Sequence, residues 1–159
     1  MFPLDDWLEK EIPIIPHLGA FGAKRKHHWH EGIDLYTNPG AVVKSVEPGE
    51  VVSIGDFTGG EMSPWWNDTK YVMVEGSSGV ILYGEIDPAL IVGSKINSGD
   101  IIGHVKTVLK KDKGRPMTML HFELYEHGIR EPVEWLPNTL RPKGLLNPTE
   151  LLKWMLTKD

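Results

Sequence analysis

Between residues 33 and 125 the apolar positions come in short runs, rich in β-branched and aromatic residues and cut by Gly, Pro, Asn and Ser. That pattern predicts strands joined by turns rather than helices. AVVKSV (41–46), the turn signal Glu47-Pro48-Gly49-Glu50 and VVSI (51–54) read as a hairpin. KYVMVE (70–75) and GVILYGEI (79–86) flank Gly76-Ser77-Ser78 and read as a second hairpin. Gly93, Gly99 and Gly103 then punctuate two short strands within residues 92–105, and MLHFELY (119–125) is the last clear strand. Its alternation puts Leu120, Phe122 and Leu124 on one face and Met119, His121, Glu123 and Tyr125 on the other. Helical signals lie only at the ends. DDWLEKEI (5–12) predicts a short helix with Trp7, Leu8 and Ile12 on its apolar face. Near the C-terminus Asn147 is placed as N-cap, Pro148 at the first helical position and Glu150 in the first turn, with Leu151, Leu152, Met155 and Leu156 packing inward. The expected fold is mainly β: one antiparallel sheet or sandwich with short N- and C-terminal helices. It reads as a single domain over 1–159, with a lead-in over 1–26, a β core over 27–130 and a Pro- and Gly-rich tail and helix over 131–159. Two long loops, 55–69 and 106–118, are placed as walls of a site, with Trp65 and Trp66 either lining it or plugging the sheet.

Composition narrows the partners. The 159 residues carry a net charge of −5, which does not make a nucleic-acid footprint, and the basic run from Lys106 to Arg115 reads as an exposed loop. Cysteine is absent, which removes thiolate ligands and thiol nucleophiles. The acidic start MFPLDDWLEKEI does not read as a signal peptide, and no apolar run reaches the ~20 residues a spanning helix needs. No membrane insertion is expected, and the chain reads as cytoplasmic as encoded unless another route exports it.

Candidate chemistry concentrates in HHWHEGIDL (27–35), where His30 and Asp34 stand four apart before an apolar strand. With His121 they would give two imidazoles and one carboxylate, a donor set that suits a catalytic zinc and also admits iron, nickel or manganese. Glu123, on the face of His121, is placed to accept from its second N–H. A rival reading puts His30, Glu31 and Asp34 on a helix with Glu31 as base. Gly32, Tyr36-Thr37 and Pro39-Gly40 argue against a helix there.

These stretches together resemble the lysostaphin/LytM-type zinc metallopeptidases, β-rich endopeptidases that cut peptide cross-links in bacterial peptidoglycan. The resemblance runs from His30 to Leu152: the H-x-x-x-D motif at 30–34, a glycine-bearing hairpin at 46–52, the glycine run from Gly93 to Gly103, the H-F-E of the last strand at 121–123 and the closing Asn147-Pro148. It implies zinc held by His30, Asp34 and His121, with the metal polarising the scissile carbonyl and activating water. It also implies two further catalytic histidines that this chain lacks. Met119 stands two residues before the last ligand, and Glu85 ends the Tyr83-Gly84-Glu85 stretch where the family has Tyr-x-His. Period-two counting places both on the metal-facing side. A thioether exchanges no proton near neutral pH, whereas a carboxylate beside a metal site is a candidate general base. Glu85 is therefore the expected base and Tyr83 the expected oxyanion donor, with His27, His28 and His127 as local histidines that could compensate. The expected function is hydrolysis of peptidoglycan or a related peptide. The alternative is an inactive relative that keeps zinc and cleft as a cell-wall or protein binding module.

Overall fold

The computed structural model describes residues 1–110 and 117–158. Its strands are β1 (Ile33–Tyr36), β2 (Val42–Lys44), β3 (Gly49–Asp56), β4 (Lys70–Gly76), β5 (Gly79–Pro88), β6 (Lys95–Ile96), β7 (Ile101–Val105), β8 (Met119–Tyr125) and β9 (Leu145–Leu146), followed by helix α1 (Thr149–Thr157). Among the described residues the nine strands form one antiparallel sheet. Its main path runs β1-β8-β5-β4-β3-β6, with β2 on β7, β7 also on β5, and β9 on β8.

The β4–β5 hairpin forms as expected, closing at Gly76 opposite Gly79. The β2–β3 hairpin does not. Val42 and Val43 instead pair with His104 and Gly103 of β7, while β3 pairs with β4 and β6. The cause is at Glu47, which is buried rather than exposed in a turn. Its carboxylate accepts hydrogen bonds from Ser78 N at 3.0 Å and Ser78 Oγ at 2.5 Å. Val46 N donates to the Tyr83 hydroxyl at 3.1 Å. Residues 45–48 are thereby a crossover pinned to β5 and its turn.

The N-terminal helix is also absent. Residues 5–12 make a series of bends that touch the end of β1: Trp7 bridges Thr37, Leu8 N donates to Tyr36 O at 3.0 Å, and Lys10 sits at φ 65°. β1 is a sheet edge, whose unpaired backbone groups a covering segment can satisfy. Trp7 packs on Phe2 with ring centroids 4.6 Å apart. α1 forms near its expected place. Asn147 Oδ1 accepts from Thr149 N at 3.0 Å, and Leu152 and Met155 are buried against the sheet. Trp154 lies exposed, with Lys158 Nζ over its ring. No helix among the described residues is long and apolar enough to cross a membrane.

β8 lies between β1 and β5, and all seven of its residues are buried. Its Leu120–Phe122–Leu124 face meets the main core, where the Phe122 ring stands edge-on to Tyr83. Its other face carries the candidate site.

Candidate metal centre

The site is assembled from three neighbouring elements. Residues 22–30 form a small hairpin: Gly22 N donates to His30 O, His30 N to Ala23 O, and Arg25 N to His28 O. Its returning arm delivers His30 beside β1. Asp34 stands on β1 directly opposite His121 of β8 in the ladder. Gly32 makes that approach possible, because a Cβ there would lie 2.4 Å from Phe122 O and 2.8 Å from Glu123 Cγ. Its small size permits close packing onto β8.

His30 Nε2, Asp34 Oδ1 and His121 Nδ1 converge. The separations are 3.2 Å between His30 Nε2 and Asp34 Oδ1, 3.0 Å between His121 Nδ1 and Asp34 Oδ1, and 3.3 Å between the two nitrogens. A tetrahedral site with ligand bonds of about 2.0–2.1 Å needs donor atoms about 3.3 Å apart, so this triad is spaced to hold one such ion. The outer nitrogens are already committed. His30 Nδ1–H donates to Ala20 O at 2.9 Å, and His121 Nε2–H donates to Glu123 Oε2 at 2.6 Å. These bonds select the tautomers that turn His30 Nε2 and His121 Nδ1 inward. Glu123 in turn accepts from the Tyr125 hydroxyl, which takes an N–H from Val133 at 3.2 Å. All three candidate ligands are buried, and they form a cluster able to hold a metal.

The electrostatics agree with a cation site. Burial works against the charge of Asp34, but His30 and the hydrogen bonds to both histidines outweigh it and hold its carboxyl well below the usual carboxylate range. Burial likewise opposes a charged His121, yet the hydrogen bonds to Asp34 and Glu123 raise it well above an ordinary imidazole. Without an ion, a proton on His121 Nδ1 takes the cation's place.

Glu85 reaches the face expected of it, but through a bulge that separates it from Tyr83 rather than by alternation. Tyr83 pairs with Phe122 and Gly84 with His121, so strict alternation would send Glu85 to the side of Tyr83, away from the cluster. A bulge prevents this. Gly84 pairs with Tyr71 and Ile86 with Lys70, which leaves Glu85 between them outside the ladder at φ 64°. Its carboxyl consequently feels Asp34, His121, Arg25 and Glu123. Burial pushes it up to about 8, Asp34 adds to the rise, and His121 and Arg25 pull it back. Its Oε2 is shielded from solvent with no hydrogen-bond partner.

Tyr83 is not brought to the cluster. It lies on the opposite face, fully buried, with its hydroxyl accepting from Val46 N; it is a core residue rather than an oxyanion donor. Met119 does lie on the metal-facing side of β8, buried opposite Tyr36. The compensating histidines are engaged elsewhere or exposed. His28 Nδ1 bonds Glu31 at 2.9 Å, His127 Nε2 bonds Gly76 O at 2.8 Å beyond the far end of β5, and His27 is exposed. Residues 30–34 lead into β1 rather than a helix, which overturns the helical reading with Glu31 as base. Glu31 is buried and accepts from Trp135 N at 3.0 Å, tying the tail to the site loop. The Trp29 ring packs on Trp135, centroids 6.3 Å apart.

Three residues near the cluster escape the sequence reading. Phe57 places its ring 5.2 Å from that of His121. Tyr36, two residues after Asp34 and so on the same face of β1, is half-buried, its hydroxyl pushed up to about 12 by burial and then by Asp34. Alternation along β1 would have found it. Arg25 donates from Nη2 to Asp34 Oδ2 at 3.2 Å and to Leu18 O at 2.6 Å. Nothing in the basic triplet at 24–26 marks which side chain turns inward. The two long loops zip together: Asn67 N donates to Val108 O and Lys110 N to Trp65 O, leaving Trp65 exposed and Trp66 half-buried. The part of the second loop over 111–116 lies outside the described residues.

An antiparallel β scaffold that presents two buried histidines and one aspartate at metal-binding spacing defines the class as a metal-site β domain. The comparisons are consistent with it. The family model described as Peptidase family M23 matches residues 28–134, more than half of the chain. No curated protein matches the sequence. Among solved structures, the catalytic domain of lysostaphin from Staphylococcus simulans is similar with a TM-score of 0.57 at 18% identity, over 85% of this chain and 89% of that one. The catalytic domain of the prophage-encoded M23 protein EnpA from Enterococcus faecalis, solved as a point variant, gives 0.53 at 21% identity, over 79% of this chain and 82% of that one. A zinc-containing peptidase from Vibrio cholerae gives 0.51 at 26% identity, over 88% of this chain and 40% of that one. The chain belongs to peptidase family M23, and its fold is the lysostaphin type.

Proposed function

We propose that this protein is a single-domain zinc metallopeptidase that hydrolyses peptide bonds in peptidoglycan or a related peptide. The observation that carries the reading is the convergence of His30 Nε2, Asp34 Oδ1 and His121 Nδ1 within 3.3 Å of one another, with both outer imidazole nitrogens already bonded. These residues would hold the ion. Zinc bound by three protein ligands supplies Lewis acidity toward a carbonyl and makes water a nucleophile near neutral pH.

The chain's own residues supply the rest. Glu85 is the base: its unpartnered Oε2 takes a proton from the attacking water and returns it to the leaving amine. The elevated affinity of Glu85 for a proton suits the second step, and the neighbouring Arg25 favours its ionised form for the first. The Phe57 ring shields the centre on one side. The zipped loops carry Trp65 at the rim, where an exposed indole can lie against a peptide or glycan.

The experiment is hydrolysis of oligoglycine and cross-linked stem peptides by the zinc-supplemented protein and by Glu85→Gln. Loss of one general base lowers the rate about 10²–10⁴-fold, with zinc content retained. Undiminished turnover in the Gln variant removes Glu85 from the mechanism. Tight binding of these peptides by wild type without turnover identifies a binding module instead, the outcome that the thioether of Met119 would favour.

A further inference from the structure

Resting on that peptidase reading, we propose that Arg25 is the oxyanion-binding residue of the site, donating its Nε–H to the scissile carbonyl oxygen as the carbon becomes tetrahedral. The guanidinium is fixed at one end only. Nη2 donates to Leu18 O and to Asp34 Oδ2, which sets the plane of the group beside the metal ligand. The Nε–H, on the same edge of the group as Nη2, is unspent among the described residues. Nε is buried from solvent and has no hydrogen-bond partner, although an unpaired buried donor on a charged group is costly to keep.

Among the described residues, the neighbours of the cluster offer few other donors for this task. Met119, on the metal-facing side of β8, has no donor, and Phe57 is apolar. Tyr83, the donor expected from sequence, faces the core and is bonded to Val46. Lys24 and Lys26, which flank Arg25, are exposed. The charge of Arg25 is felt by Glu85 and by Tyr36, so it acts on both sides of the space next to Asp34. A planar, permanently charged group with a free N–H in a partly water-excluded site is well suited to a developing oxyanion. The hairpin over residues 22–30 explains the precision. It carries Arg25 and His30 on one rigid unit, so the donor and a metal ligand move together.

A second candidate donor among the described residues is the Tyr36 hydroxyl, whose charge state feels Asp34, and the experiment separates the two. The zinc-loaded wild type, Arg25→Lys, Arg25→Ala and Tyr36→Phe are compared in three measurements: zinc content, calorimetric affinity for a tetrahedral phosphinate analogue of oligoglycine, and kcat and KM for oligoglycine. Loss of Arg25 lowers kcat and phosphinate affinity together by about 10²–10³-fold, with KM and zinc content little changed. Added ethylguanidinium restores part of the kcat of Arg25→Ala. Arg25→Lys, which keeps a charge beside Asp34, reports the loss without loss of the fold. Unchanged phosphinate affinity in both Arg25 variants, a loss that tracks zinc content, or a loss confined to Tyr36→Phe overturns the assignment while the peptidase reading stands. Failure of zinc-loaded wild type to cleave any peptide overturns both.

Discussion

At the scale of single residues, the site is a set of hydrogen bonds that leaves three donor atoms pointing one way. His30 and His121 each give their outer N–H to a fixed acceptor, and Asp34 accepts with its second oxygen from Arg25. The inner atoms are then left to a proton or to a metal. This has a pH consequence. In the metal-free protein the affinity of His121 for a proton is raised, so its charged form contributes stability that is complete below the ordinary imidazole pKa and is lost as pH rises through the raised value. A metal must displace that proton. Calorimetry in buffers of different ionisation enthalpy is expected to show proton release on zinc binding, with apparent affinity rising with pH until the raised value of His121 is passed. Zinc binding with no proton release and no pH dependence below that value would mean that His121 is not a ligand.

At the scale of elements, the ligands depend on how closely β1 and β8 approach. Gly32 is the point of closest contact, where an added Cβ meets the Phe122 carbonyl at 2.4 Å. Backbone cannot give way as a flexible side chain can, so Gly32→Ala is expected to cost about 1–3 kcal/mol and to weaken metal binding by moving His30 and Asp34 away from His121. Denaturant unfolding and zinc titration of the variant check this; wild-type values in both would remove Gly32 from the site's construction. The same elements show what the sequence could express. In MLHFELY the period of two sorts the faces correctly, since β8 is regular and every residue of it is paired or packed. In β5 the same counting sets Tyr83 on the face of Glu85 and fails at Tyr83, because a bulge and a left-handed backbone at a non-glycine residue leave no mark in the hydrophobic pattern. Counting from His121 across the ladder would have placed Tyr83 with Phe122 in the core. Glu47-Pro48-Gly49-Glu50 carries the residues of a turn but makes a crossover, since the buried Glu47 finds its partners on Ser78, 31 positions away. DDWLEKEI has helical spacing, yet the open edge of β1 claims its backbone.

At the scale of the whole molecule, three segments far apart in sequence meet at one point. His30 and Asp34 lie 91 and 87 positions from His121, and the sheet order that sets β8 between β1 and β5 brings them and Glu85 together. The clustering of His30, Asp34 and His121 was legible because each member sits in a short, regular context: a motif before a strand, or the middle of an alternating run. Arg25 and Phe57 were not, because their positions follow from a hairpin and a loop whose register only tertiary contacts set. The family motif supplied the link between the two ends of the triad that spacing alone does not give. The most direct test is zinc K-edge absorption of the zinc-loaded protein. The triad predicts one zinc per chain with two imidazole nitrogens and one carboxylate oxygen at about 2.0–2.1 Å, and loss of that signal in His121→Ala. A coordination shell with no imidazole, or one unchanged in His121→Ala, would contradict the site.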